Sequence, residues 1–335
     1  MDCILNLKDI QFETRDKQVF FASNDIIVYK EQSTIVMTNC DGEEITFCPC
    51  PRDSRHFEVI DLGDSILLAL SGKSIVVLDK MGNTPIQYDL NITRFGRIIT
   101  KLYPVGEDSI MFGTKRGEHV QVVNYDFIGQ KRIAQSASWK VRNITDMMIQ
   151  GDKAYALLDS SFLVGCSTET CETLWNRFEA GYVNPYLIPH DGGILYSCQG
   201  LIRHYKNGSI NTIQVPLSRV SSLLTCLGDK LIFTSDDHTN IGSYDLTKNR
   251  LVWEVVGSEK ILEFVMVKGK VDKETFNTVA IRVDDKFGLV NVDLGRSAYY
   301  GKCYGVYRIR QTSDHLLLHK SKGQTDMITG LSDVG

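Results

Sequence analysis

Short apolar runs of five or six residues, heavy in Ile, Leu and Val, recur along this chain. Clusters of Gly, Asn, Asp and Ser part them. The runs from Ser65 to Leu70, Ser74 to Asp79, Lys153 to Leu158 and Asn240 to Asp245 are examples. Runs this short, β-branched and bounded by turn formers predict strands joined by tight turns. No long segment carries the 3.6-residue apolar period of a helix, so the expected class is all-β.

A longer period organises the runs. Gly-Asp or a close substitute returns about every 40 residues, at Asn24-Asp25, Gly63-Asp64, Glu107-Asp108, Gly151-Asp152, Asp191-Gly192, Gly228-Asp229, Val271-Asp272 and Ser313-Asp314. Antiparallel four-stranded units of that length predict the blades of a single β-propeller spanning residues 1–335. Units beginning near 24, 63, 107, 151, 191, 228, 271 and 313 suggest eight blades. Seven is the alternative, because the first and last units are the most degenerate. The last unit holds two runs, and residues 1–12 belong to no unit. That segment is therefore expected to join the last blade, close the ring and cover a sheet edge. Asp64, Asp108, Asp152, Asp229 and Asp314 are expected to form turns, capping strand ends through their side chains.

Two units share a further pattern, Tyr244-Asp-Leu-Thr-Lys-Asn-Arg-Leu-Val-Trp253 and Cys166-Ser-Thr-Glu-Thr-Cys-Glu-Thr-Leu-Trp175, which sets Trp175 and Trp253 at equivalent third-strand positions. This pattern resembles the quinoprotein-like (pyrroloquinoline-quinone-type) propeller repeat. The WD-repeat family is similar in architecture, but its Gly-His and Trp-Asp dipeptides are missing. The resemblance implies a propeller whose Trp packs between neighbouring blades. For the quinoprotein enzymes it further implies a quinone, a Ca²⁺ held by oxygen ligands, a catalytic carboxylate and, in several, a disulfide between adjacent cysteines. No cofactor residue matches and no Cys-Cys pair occurs, so no cofactor is expected.

Composition narrows the setting. The net charge of −4 argues against binding nucleic acid through bulk charge. The start Met1-Asp2-Cys3-Ile4 has no secretory apolar region, and no run approaches the roughly 18 apolar residues of a spanning helix. Nine irregularly spaced cysteines do not suggest a disulfide framework. The expectation is a cytoplasmic or nuclear protein without membrane insertion.

Candidate chemistry is sparse. Cys48-Pro49-Cys50, near Cys40 and His56, is poorly spaced for one tetrahedral ion and reads as structural thiols. Cys166 and Cys171 flank a turn and could meet across strands. No His-Glu-x-x-His, Gly-x-Ser-x-Gly or phosphate-binding glycine pattern occurs. The expected function is a non-enzymatic scaffold for protein–protein interaction, as a subunit of a multi-subunit complex. A quinoprotein-like ligand-binding or enzymatic propeller is the alternative, and a nucleic-acid-associated propeller using loop Lys and Arg the second. Partner contact is expected at Phe95, Trp139 and Tyr182, and at Arg94, Arg97, Lys140 and Arg142. Lys115-Arg116, Lys131-Arg132 and Arg308-Ile-Arg310 add cations that would merge if loops converge. The candidate loops are Cys48 to His56, Tyr88 to Gly96, Gln135 to Arg142 and Val267 to Thr275.

Overall fold

The structure is a computed structural model. It describes residues 17–328 except 24, 40, 51–56, 71–73, 90–96, 180, 182, 184–185, 216–219, 236, 257–259, 272–273, 284–285, 292–295, 303–305, 313–314 and 321–324. The expected closing strand 1–12 and the candidates Arg94, Phe95, Tyr182 and Asp314 fall outside the described residues.

The described residues form eight antiparallel sheets, each following the chain in order. The first is β1 (Lys17–Ala22), β2 (Ile26–Glu31), β3 (Thr34–Asn39) and β4 (Glu44–Pro49). The second is β5 (Phe57–Asp61), β6 (Ser65–Leu70), β7 (Ser74–Asp79) and β8 (Ile86–Asp89). The third has six strands: β9 (Arg97–Ile98), β10 (Tyr103–Pro104), β11 (Ser109–Arg116), β12 (His119–Asp126), β13 (Lys131–Gln135) and β14 (Trp139–Lys140). The fourth is β15 (Ile144–Gln150), β16 (Lys153–Leu158), β17 (Phe162–Ser167) and β18 (Thr173–Phe178). The fifth is β19 (Ile188–His190), β20 (Gly193–Cys198), β21 (Leu201–Lys206) and β22 (Ser209–Ile213). The sixth is β23 (Val220–Leu227), β24 (Lys230–Ser235), β25 (Asn240–Asp245) and β26 (Arg250–Val256). The seventh is β27 (Ile261–Val271), β28 (Glu274–Val283), β29 (Lys286–Asn291) and β30 (Arg296–Lys302). The eighth has three described strands, β31 (Val306–Thr312), β32 (His315–Lys320) and β33 (Thr325–Ile328). No helix among the described residues is long and apolar enough to cross a membrane.

Contacts divide the chain into two compact units, residues 53–226 and residues 1–52 with 227–335. In the 53–226 unit, successive sheets bury their middle strands on both faces. Leu67, Ala69 and Ile75 of the second sheet pack with Ile110, Phe112 and Val123 of the third. Met111, Val120 and Val122 on its other face meet Ala154, Ala156 and Val164 of the fourth. Tyr155, Leu157 and Leu163 then meet Ile194, Tyr196 and Tyr205 of the fifth. Burial on both faces explains why β6, β16 and β20 read as unbroken apolar runs rather than alternating ones. In the other unit, Val19 and Ala22 of the first sheet pack on Leu317 of the last.

The repeating aspartates close hairpins through their backbone. The carbonyls of Asp64, Asp108, Asp152 and Asp229 accept the N–H of Lys80, Phe127, Thr168 and Leu246 at 2.8–3.0 Å. Side-chain capping falls instead to the residue just before each of these donors. Asp79 accepts from Met81 N–H, Asp126 from Gly129, Ser167 from Glu169 and Thr170, and Asp245 from Lys248. The expected cap is present, but on the far side of the hairpin mouth, where the chain turns sharply into the fourth strand.

Trp175 and Trp253 lie on β18 and β26, the fourth strands of their sheets, not the third. A repeat counted from the Gly-Asp marker begins at the sheet's second strand, because the first precedes the marker. The described residues between Val267 and Thr275 are likewise strand rather than loop. They continue the paired strands β27 and β28, with Val271 opposite Glu274.

Candidate basic docking platform

The third sheet departs from the pattern of its neighbours. Its central strands β11 and β12 each have eight residues, against six in β16 and β17. They join through the two-residue turn Gly117-Glu118, with Arg116 paired to His119 and Gly117 at φ +61°. A two-residue hairpin needs that left-handed conformation, which glycine adopts without strain. The lengthened hairpin is flanked at its end by two short strands, β9 on β11 and β14 on β12.

This pairing gathers cations that are far apart in sequence. Arg97 lies directly opposite Lys115, and Lys140 opposite His119, which itself faces Arg116. The Lys115 ammonium donates to the Arg142 carbonyl. Arg97, Arg116, His119, Lys140 and Arg142 are exposed, and Lys115 is half-buried. Two carboxylates lie nearby: Glu118, 3.8 Å from the Lys140 ammonium with both side chains mostly in water, and Asp159, which accepts the Arg142 and Asn143 N–H groups. An exposed pair of that kind contributes little attraction. Like charges directly opposite on a sheet, as at Arg97 and Lys115, disfavour the pairing.

Of the sequence-level candidates, Arg97, Lys140 and Arg142 therefore lie at one end of the third sheet with Lys115 and Arg116, but on two faces: Arg97 and Lys115 share one, Arg116, His119 and Lys140 the other. Trp139 sits beside them on β14, half-buried, its ring against the core that contains Met111, Val120 and Ile144. Lys131 and Arg132 pair with Asp126 and Tyr125 at the opposite end of β12 and do not join the platform. His119 was not singled out from the sequence. The signal for it was the Arg-Gly-Glu-His turn, a two-residue hairpin loop between β-prone runs.

A second polar cluster is internal. Glu179, 2% exposed, follows β18 and accepts from Arg177 Nε at 3.0 Å, from the Tyr196 hydroxyl at 2.7 Å and from the Arg203 guanidinium. Burial, and then the bond to Glu179, push the Tyr196 phenol far above its ordinary range. A buried carboxylate with three donors ties the fourth sheet to β20 and β21 of the fifth. Cys226 and His190 approach at 3.4 Å, Sγ to Nδ1, with the rings of His190 and His204 at 5.3 Å.

Cys48, Cys50, Cys166, Cys171 and Cys198 are buried and in no disulfide. Burial first, and then Cys50, raises Cys48 to about 11. Burial and Cys171 raise Cys166 to about 12, and burial raises Cys171 to about 11. Such thiols are poor metal ligands and poor nucleophiles. No three His, Cys, Asp or Glu side chains converge as metal ligands among the described residues. The donor set of a calcium-quinone site is not matched there.

No protein-family profile and no curated protein matches this chain. Solved structures do. BamB from Moraxella catarrhalis superposes with a TM-score of 0.63 at 11% identity, covering 94% of this chain and 97% of that one. Sqt1 of Saccharomyces cerevisiae gives 0.66 at 12% identity, covering 95% and 97%. The WD40 β-propeller domain of Doa1 gives 0.55 at 9% identity, covering 83% and 93%. The fold is that of a β-propeller, akin to the WD40 and BamB-type propellers.

Proposed function

We propose that this chain is a non-enzymatic propeller scaffold whose basic platform docks another protein, as one subunit of a larger assembly. The observation that carries this reading is the convergence of Arg97, Lys115, Arg116, Lys140 and Arg142 at one sheet end. Propeller fold by itself implies no activity, and function on such a frame resides in the surface segments. Arg97 and Lys115 stand as like charges directly opposite, and an acidic partner surface would offset that repulsion. Described cysteines held in no disulfide suit a reducing compartment, cytoplasm or nucleus.

The test is capture of partners from the native cell by the tagged wild type and by an Arg116→Glu/Lys140→Glu variant, with cross-linking and mass spectrometry. Partners cross-linked to Lys115 or Lys140 and lost from the variant support the platform. Partners retained in full by the variant overturn it.

A further inference from the structure

We propose that Cys226 is a reactive thiol, with the His190 imidazole as its base, and the site at which this chain exchanges with small disulfides such as glutathione disulfide. Among the described residues, Cys226 is the one cysteine not fully buried. Its Sγ lies 3.4 Å from Nδ1 of His190, within reach of a sulfur hydrogen bond. The two residues stand on the first strands of their sheets, β23 and β19, inside the 53–226 unit, and both are half-buried. A thiol and a base in hydrogen-bond reach, partly open to solvent, are the parts an activated cysteine needs.

The chain around His190 holds its ring in place. His190 pairs with Gly193 across the two-residue turn Asp191-Gly192, whose φ values are +46° and +71°. Positive φ at both positions makes the tight hairpin that matches strand twist. His204 Nε2, on β21, lies 3.2 Å from the His190 carbonyl, and a carbonyl only accepts, so Nε2 donates. Lys206, on the same strand, donates to the Asp191 carboxylate at 2.6 Å. That bond, the Lys206 charge and then the imidazoles of His190 and His204 hold the Asp191 carboxyl below its ordinary 3.8. A carboxylate beside His190 favours the imidazolium. The Sγ proton therefore passes to Nδ1, and the thiolate attacks one sulfur of the small disulfide. The old S–S bond breaks as the new one forms, and the departing thiolate takes the proton from Nδ1.

The test treats the full chain with glutathione disulfide at pH about 7, where an ordinary thiol, with a pKa of about 8.5, is only a few per cent thiolate. Peptide mass spectrometry follows the mixed disulfide at each cysteine. Cys226 should react about tenfold faster in the native chain than in denaturant, where its imidazole partner is lost. His190→Gln should lower the native rate about tenfold at an unchanged melting temperature. The far-ultraviolet absorbance of wild type minus Cys226→Ser reads the thiolate directly, and the same difference should vanish in the His190→Gln background. Should His190→Gln melt early, the native and denatured wild type still make the comparison. Equal native and denatured rates at Cys226, a folded His190→Gln as fast as wild type, or no thiolate absorbance in the wild type overturns the proposal.

Discussion

Leu174 and Trp175 are consecutive on β18, yet Leu174 is 50% exposed while the Trp175 ring lies 4.0 Å, centroid to centroid, from Tyr205 on β21. A bulge separates them. Gly165 pairs with Trp175 and Cys166 with Thr173, so Leu174 has no partner on β17. Ile133 and Val252 are skipped in the same way on β13 and β26, and are 50% and 41% exposed. An extra residue twists the outer strand, which blunts an edge that would otherwise pair with other chains. The residue after the bulge turns inward, and on β18 it fills the space between two sheets.

Trp175→Ala should therefore destabilise by about 2–4 kcal/mol in urea unfolding, through the cavity left between Tyr155 and Tyr205. Leu174→Ser, one position away, should stay within about 0.5 kcal/mol. Gly165→Ala tests the close approach from the other side. A Cβ there would stand 2.3 Å from Trp175 Nε1, and the displaced ring should cost about 1–3 kcal/mol.

Glu179→Gln should cost about 3 kcal/mol, since the half-buried Arg203 guanidinium loses its buried counter-charge. Tyr196→Phe, which removes one neutral donor, should cost about 1 kcal/mol. The two melts, taken with the double variant, report the coupling between the bonds.

Asp146 gives a pH-dependent test. Burial raises its carboxyl above the ordinary value of 3.8, against the opposing bonds from the Leu187, Met147 and Tyr186 N–H groups and the charge of Lys101. The folded chain thus holds this proton more tightly than the unfolded chain. Its contribution to stability is full below the unfolded pKa and is lost as pH rises through the folded one. In Asp146→Asn the side-chain carbonyl can still accept from Tyr186 and Leu187, both of which bond Oδ2. The variant's melting temperature relative to wild type should therefore climb as pH rises from about 4 and level off above the folded pKa. A difference that is flat or falls with pH would refute this.

Iodoacetamide at pH about 8 should leave Cys48, Cys166, Cys171 and Cys198 unlabelled in the native protein and modify all four in denaturant. Burial both shields them and raises their thiols. Peptide mass spectrometry reads the outcome. Rapid native labelling of any of the four would contradict their burial.

Much of this was legible in the sequence. Apolar runs such as Ser65–Leu70 and Lys153–Leu158 became strands, because continuous Ile, Leu, Val and Ala between turn residues can bury both faces of a sheet. The period of the Gly-Asp markers carried the repeat, and positive φ at Gly63, Gly151 and Gly228 supplies the turn chemistry behind it. Register decided the rest. A bulge is one residue with no local signature, so nothing in Thr-Leu-Trp tells which apolar side chain goes to water and which between sheets. Nor does sequence distance reveal that Arg97 comes to face Lys115, or Lys140 to face His119. That follows from hydrogen bonds linking β9, β11, β12 and β14, which form only when separated segments pair. Local propensity chose the elements. The long-range pairing of strands chose which side chains meet.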